Sequence, residues 1–323
     1  MPVNGKKWDR RIARARELAE TYPFAKQVLL FYSQLTNFQK SSYLQYSSAT
    51  CATGVPPVRR HGQDAHSTSR DEGQSSLPAA LDDADLRHLL TRWRPFLRMI
   101  EAEAPSSLAG FARGLKARGP DAASALLRSA WPTNAPAATH TINGEASLWA
   151  GRPQDSGRDA RATSAAAAQQ SSLSPFEYCC AQAFLQPFAE LLADHAEVPA
   201  PPVRRPSCPY CGSLPLVGVL RPEGEGAKRS LACSFCRTEW DYLRIACPVC
   251  DERREEKLCV YTAPKFEAVR VEACGTCRAY IITVDLTKNG LAVPEVDALA
   301  AIPLTLWADE NGYQKVTRNA LCL

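Results

Sequence analysis

The sequence has no apolar run that could cross a bilayer, which takes roughly 18 residues. Its longest candidate, "AKQVLLFYSQL" at 25–35, is interrupted by Lys26, Gln27 and Gln34, so membrane insertion is not expected. It has little net charge. Lys plus Arg total 38 against 34 for Asp plus Glu, and residues 201–323 hold 16 against 15. A phosphate-binding surface needs a much larger basic excess, so no nucleic-acid partner is expected either. Histidine is scarce: His61, His66, His88, His140 and His195 form no His-Glu-x-x-His or Cys–His arrangement, and His61 and His66 lie in a polar stretch that reads as solvated. Glycine-rich nucleotide loops and Gly-x-Ser-x-Gly elbows are missing. No catalytic residue can be named, and the chain reads as a non-enzyme. No apolar secretion segment follows Arg10-Arg11, so the expected location is the cytoplasm.

Cysteine, by contrast, is abundant. Of 13, eight fall in four Cys-x-x-Cys pairs: "CPYC" from Cys208, "CSFC" from Cys233, "CPVC" from Cys247 and "CGTC" from Cys274. Disulfide frameworks belong to small secreted domains, whereas such pairs in a cytosolic chain point to metal or redox chemistry. Two thiolates at this spacing share a tight turn and face one point about 2.3 Å away, and two turns complete a tetrahedron. "RSLACSFCRTEWDYLRI" and "AVRVEACGTCRAYIITV" each read strand, knuckle, strand. That duplication favours sequential pairing: Cys208, Cys211, Cys233 and Cys236 in one site, and Cys247, Cys250, Cys274 and Cys277 in the other. A cross-braced pairing of the first and third turns is the alternative. Spacing does not separate zinc from a single rubredoxin-type iron. Cys259 alternates with strand residues and reads as a core position. Cys179 and Cys180 point in different directions on a helix, and Cys322 sits at the terminus.

The expected fold class is α+β: an all-helical domain over residues 1–196, then two tandem rubredoxin-like or zinc-ribbon units at 207–245 and 246–323, the second ending in a helix. Trp8, Ile12, Ala15, Ala19 and Tyr22 share one helical face. Ser174, Pro175 and Glu177 form a helix-start signature, and Pro95 should kink or divide its helix. Residues 49–80 and 132–172 lack periodicity and read as polar insertions. "EVPAPPVRRP" at 197–206 reads as a proline-rich spacer and domain boundary. "LPLVGVL", "KLCVYT", "AVRVEA" and "AYIITVDL" read as strands. Glu239 and Trp240 follow the second knuckle. Trp240 is either a strand residue covering the metal turn or, with Glu239, a partner-binding contact.

"CPYCGSLP", "CSFCRTEWDYLRIACPVC", "CGTCRAYIITVDL" and "VDALAAIPLTLWADENGY" together resemble the formate dehydrogenase accessory proteins of the FdhE type, over about Ser207–Tyr313. In the helical half the recognisable part is "RARELAETYPFAKQVLLFYSQL". The resemblance implies a cytoplasmic maturation factor that binds the catalytic subunit of a respiratory formate dehydrogenase and is needed for its active assembly. It implies two metal ions per chain on the eight paired cysteines, iron favoured and zinc the other option, and leaves a homodimer open. The alternative reading is a rubredoxin-like electron carrier or thiol-redox protein.

Overall fold

The computed structural model describes residues 5–53, 77–78, 80–132, 173–196, 205–319 and 321. The two stretches read as polar insertions lie mostly outside these residues, as do 197–204 of the proline-rich spacer. Six helices come first: α1 (Lys6–Thr21), α2 (Lys26–Thr53), α3 (Asp83–Glu103), α4 (Ser106–Ala117), α5 (Pro120–Ala130) and α6 (Pro175–Asp194). α1 buries Trp8, Ile12, Ala15, Leu18 and Ala19 along one face. α6 starts at a reciprocal box, in which Glu177 N–H donates to Ser174 Oγ and Ser174 N–H to the Glu177 carboxylate. α3 runs unbroken through Pro95, so of the two outcomes expected of this proline, a kink or a division, the helix is not divided. Leu89, Trp93, Phe96 and Leu97 are buried on both sides of the ring, and that burial outweighs one missing backbone hydrogen bond.

The strands are β1 (Pro215–Glu223), β2 (Gly226–Cys233), β3 (Glu239–Asp241), β4 (Leu258–Thr262), β5 (Val269–Cys274), β6 (Ala279–Asp285) and β7 (Gln314–Lys315), with α7 (Pro294–Ala300) and α8 (Ile302–Glu310) between β6 and β7. The molecule is α+β as expected, but the two ribbons are not closed units. They form one sheet in the order β3-β2-β1-β6-β5-β4, with β7 also on β6. β1 and β6 pair in parallel, with Gly218 opposite Thr283. A Cβ on Gly218 would lie 2.3 Å from Thr283 Oγ1, so the strands can meet this closely only because residue 218 has no side chain.

Three apolar clusters organise the chain. The largest runs from Phe31, Phe96, Leu127 and Phe184 of the helices into Phe235 and all four cysteines of the first ribbon. The second joins one face of β5 and β6 to α8 through Val271, Ile282, Val284 and Leu304. The third packs α1 and α2 on α7 through Leu18, Leu29, Val296 and Leu299. Buried charges bind the same elements. Arg11 Nη1 lies 2.9 Å from Glu190 of α6 and its Nε pairs with Glu295 of α7, while Arg14 Nη2 is 2.6 Å from Asp297. Glu190 and Glu295 are desolvated, which opposes ionisation, yet Arg11 holds both below the usual carboxylate range.

Candidate metal centres

Each Cys-x-x-Cys pair folds into the same knuckle. In three of the four the first cysteine's N–H donates to a carbonyl five residues on: Cys208 to Ser213 at 2.8 Å, Cys233 to Thr238 at 2.9 Å and Cys247 to Glu252 at 2.9 Å. Within two of the knuckles a backbone N–H also points at sulfur, Phe235 to Cys233 Sγ at 3.3 Å and Val249 to Cys247 Sγ at 3.4 Å. The residue after the second cysteine is left-handed in all four, with φ of 74° at Gly212, 60° at Arg237, 55° at Asp251 and 60° at Arg278. Only the first of these is the residue type that adopts this backbone freely.

Side-chain contacts hold the two arginines there. Arg237 donates to Cys233 O and to Gln186 of α6, each at 3.2 Å. Arg278 donates to Gly312 O at 3.3 Å and lies 3.9 Å from the Tyr313 ring centroid. Neither arginine is given a role at the knuckles in the sequence reading. The signal available was the repeated Cys-Arg that closes the second knuckle of each ribbon.

The eight paired cysteines come together as two groups, Cys208, Cys211, Cys233 and Cys236, and Cys247, Cys250, Cys274 and Cys277, with the sulfurs of each within 4.8 Å of one another. This is the sequential arrangement and not the cross-braced one. Sγ–Sγ separations are 3.6 Å for Cys208–Cys236, 3.4 Å for Cys211–Cys233, and 3.6 Å for both Cys247–Cys277 and Cys250–Cys274. A tetrahedron with metal–sulfur bonds of about 2.3 Å has edges of roughly 3.8 Å, so the donor spacing fits an ion. Electrostatics agrees. Burial opposes ionisation in the first group. Against it, hydrogen bonds from Cys208, Cys233 and Cys236 drive Cys211 well below the usual thiol range, while burial and the same contacts push Cys233 and Cys236 well above it. Four thiolates this close are stable together only around a cation. The two groups can therefore hold two metal ions. Zinc would supply a redox-inert staple to the fold, and iron would add a one-electron couple.

The surroundings of the groups differ. The first is enclosed: its cysteines are 0–3% exposed. Phe235 meets Trp131 edge-on at 5.6 Å, and Tyr210 O accepts from Leu77 N–H at 2.9 Å. In the second, Cys250 is exposed and Cys277 half-buried. Between the groups, Arg229 is buried against Glu272 at 2.6 Å and donates to Leu243 O and Ala246 O, which fixes the connecting segment.

Trp240 is 3% exposed, with Nε1 donating to Arg205 O at 2.9 Å. The indole is thus a core residue beside the first ribbon, and a partner cannot reach its face. Glu239 makes a bidentate pair with Arg221. Arg253, Arg254 and Arg270 are likewise neutralised, by Asp251, Glu252 and Glu272. Cys259 is half-buried on β4, less enclosed than the core position expected of it. Among the described residues, no helix is long and apolar enough to cross a membrane.

Comparison with known proteins gives one consistent answer. Residues 207–244, which carry the first knuckle pair, match the family model described as FdhE, central domain. The chain is FdhE-like. It is 36% identical over 138 residues to the FdhE homolog of Aquifex aeolicus, a match covering 42% of this chain and 48% of that protein. It is also 36% identical over 125 residues to the FdhE homolog of Pseudomonas aeruginosa, covering 36% and 40%. These matches span about half the length of such relatives or less. The crystal structure of the FdhE protein from Pseudomonas aeruginosa superposes with a TM-score of 0.60 at 19% identity, covering 100% of this chain and 97% of that one. The likeness in fold therefore extends through the helical half.

Proposed function

We propose that this FdhE-like chain is an accessory factor for a formate dehydrogenase, acting in the cytoplasm by binding the catalytic subunit during its assembly and doing no chemistry on formate. It carries one metal ion on each four-cysteine group, iron favoured and zinc the other option. The observation that carries the reading is the pair of complete four-sulfur groups in an FdhE-like fold. A closed tetrahedron leaves no position for a substrate. The charged side chains near the groups are engaged with one another, as in Arg229–Glu272–Arg270. A homodimer remains a further proposal for the assembly that meets the partner.

The test is affinity capture with the tagged, metal-loaded chain from its native host, with metal analysis of the same sample and formate dehydrogenase activity in a deletion strain. Recovery of a formate dehydrogenase catalytic subunit, and lost activity restored by the intact chain, support the proposal. Full activity in the deletion strain, or formate oxidation by the purified chain, would overturn it.

A further inference from the structure

The two clusters share a knuckle but not a solvent boundary, and ligand exchange at a thiolate centre depends on that boundary. An incoming donor must come within bonding distance of the centre, or a resident sulfur must leave it. At the first cluster neither can happen from the native state. All four cysteines are 0–3% exposed, and they share one apolar cluster with Trp131, Phe184, Phe188 and Phe235 of the helices and the second knuckle. Reaching them requires the helical core to part, which is a global or near-global opening.

The second cluster is approachable from two sides. Cys250 is exposed on the outer side. On the other, Cys247 and Cys274 line a cavity of about 230 Å³ together with Ile245, Leu258 and Val260. Ile245 and Val260 are 47% and 53% exposed and stand with the exposed Arg244 and Glu255, so the mouth of this cavity is open and of mixed polarity. β4 is also the last strand of the sheet. The knuckle itself does not depend on Cys250 alone. Thr276 Oγ1 donates to Glu252 across the two turns at 2.6 Å, and Gly275 N–H donates to Lys257 O at 2.7 Å. The backbone can hold its shape while one sulfur is away.

We propose that the two clusters divide the work. The Cys208–Cys236 cluster is a permanent staple, and the Cys247–Cys277 cluster is the exchangeable one, entered at Cys250 by soft donors of the thiol class: an incoming thiol would replace the Cys250 sulfur on the ion, giving up its proton as Cys250 takes one. This rests on the metal-binding part of the reading above and goes beyond it by assigning the reactive position. Cys250 is then the thiol of the eight that outside reagents meet first.

The experiment uses the full-length chain loaded with zinc at both sites. Zinc release is followed with a chromogenic chelator in the presence of glutathione. In parallel, iodoacetamide labelling under native conditions is read by peptide mass spectrometry. One equivalent should leave at least tenfold faster than the other, and Cys250 should be labelled before any other paired cysteine. Cys250→Ser should leave the second site empty, or release its zinc faster than the parent does, while the slow equivalent and the far-UV spectrum persist. Two equivalents leaving at one rate, labelling of Cys208, Cys211, Cys233 or Cys236 as fast as Cys250, or a Cys250→Ser chain that keeps both equivalents with the parent's two release rates would overturn the proposal. The wild-type release and labelling data decide the matter even where the variant fails to fold. Failure to capture a formate dehydrogenase subunit would leave these rates untouched, and uniform rates would leave the assembly reading standing.

Discussion

The first and second ribbons start from one phrase and finish in different environments. Both place two Cys-x-x-Cys knuckles around antiparallel strands, and both close the second knuckle with a left-handed arginine, Arg237 or Arg278. Arg237 reaches α6 through Gln186, whereas Arg278 reaches the turn between α8 and β7 through Gly312. The same side chain in the same local geometry thus binds one ribbon to the helical half and the other to the chain's own C-terminal helices. As a result the first ribbon shares a core with α2, α3, α5 and α6, while the second shares a smaller core with α8 and β1. Repetition of a metal motif sets local shape. What it packs against sets which copy is enclosed.

The sharpest way to break this comparison is to remove one ligand from each ribbon. Cys233→Ser should cost about 5 kcal/mol or more, a share of the roughly 10–16 kcal/mol a structural zinc site supplies. Because the core is continuous, helical far-UV signal should melt together with the sheet. Cys274→Ser should leave the helical transition nearly unchanged. Equal effects of the two changes on the helical transition, or protease sensitivity confined beyond residue 205 in Cys233→Ser, would show that the first ribbon is not part of the helical core.

Next in size is the charge cluster that clamps α1 between α6 and α7. Arg11→Met leaves Glu190 buried without its main partner and should cost about 3–5 kcal/mol at pH 7 by urea denaturation. Glu190 has a folded pKa below its unfolded value. Its contribution is therefore complete above the unfolded carboxylate range near 4.5 and is lost as pH falls through the lower folded value. The gap between Arg11→Met and its parent should accordingly shrink on acidification below that range. A gap independent of pH would mean that Arg11 acts through its packing on Trp8, whose ring lies 4.7 Å from the guanidinium.

The seam between the ribbons comes third. Gly218→Val drives a side chain into Thr283 and should cost about 1–3 kcal/mol by overpacking. The damage should appear as amide exchange along β1 and β6 while both ions stay bound. Unchanged exchange there would mean that the parallel pairing is not what holds the ribbons together.

The smallest effects are expected at the knuckle backbones. Gly212→Ala, at φ of 74°, should destabilise by about 1 kcal/mol. Asp251→Gly should be neutral or stabilising by up to about 1 kcal/mol, since it relieves a left-handed backbone and removes only an exposed pair with Arg253. Thermal unfolding of the metal-loaded forms measures both. Opposite signs at the two positions confirm that the knuckles share one backbone geometry, and matching signs would refute it.

The parts legible in the sequence were those governed by near neighbours. Cys-x-x-Cys spacing and the duplicated strand–knuckle–strand phrase determined the two four-sulfur groups, because a tight turn leaves two sulfurs little choice of direction. Helical periodicity determined the buried face of α1, and Ser174 with Glu177 determined where α6 begins. Other features were decided only by tertiary structure. The parallel meeting of β1 and β6, the passage of α3 through Pro95, the burial of Trp240 and the exposure of Cys250 beside the enclosed Cys236 depend on elements tens to hundreds of residues apart. No local pattern carries that information. A strand's alternation marks which side is apolar, but not which strand it will join, and a cysteine's neighbours fix its knuckle, but not whether a helix will cover it.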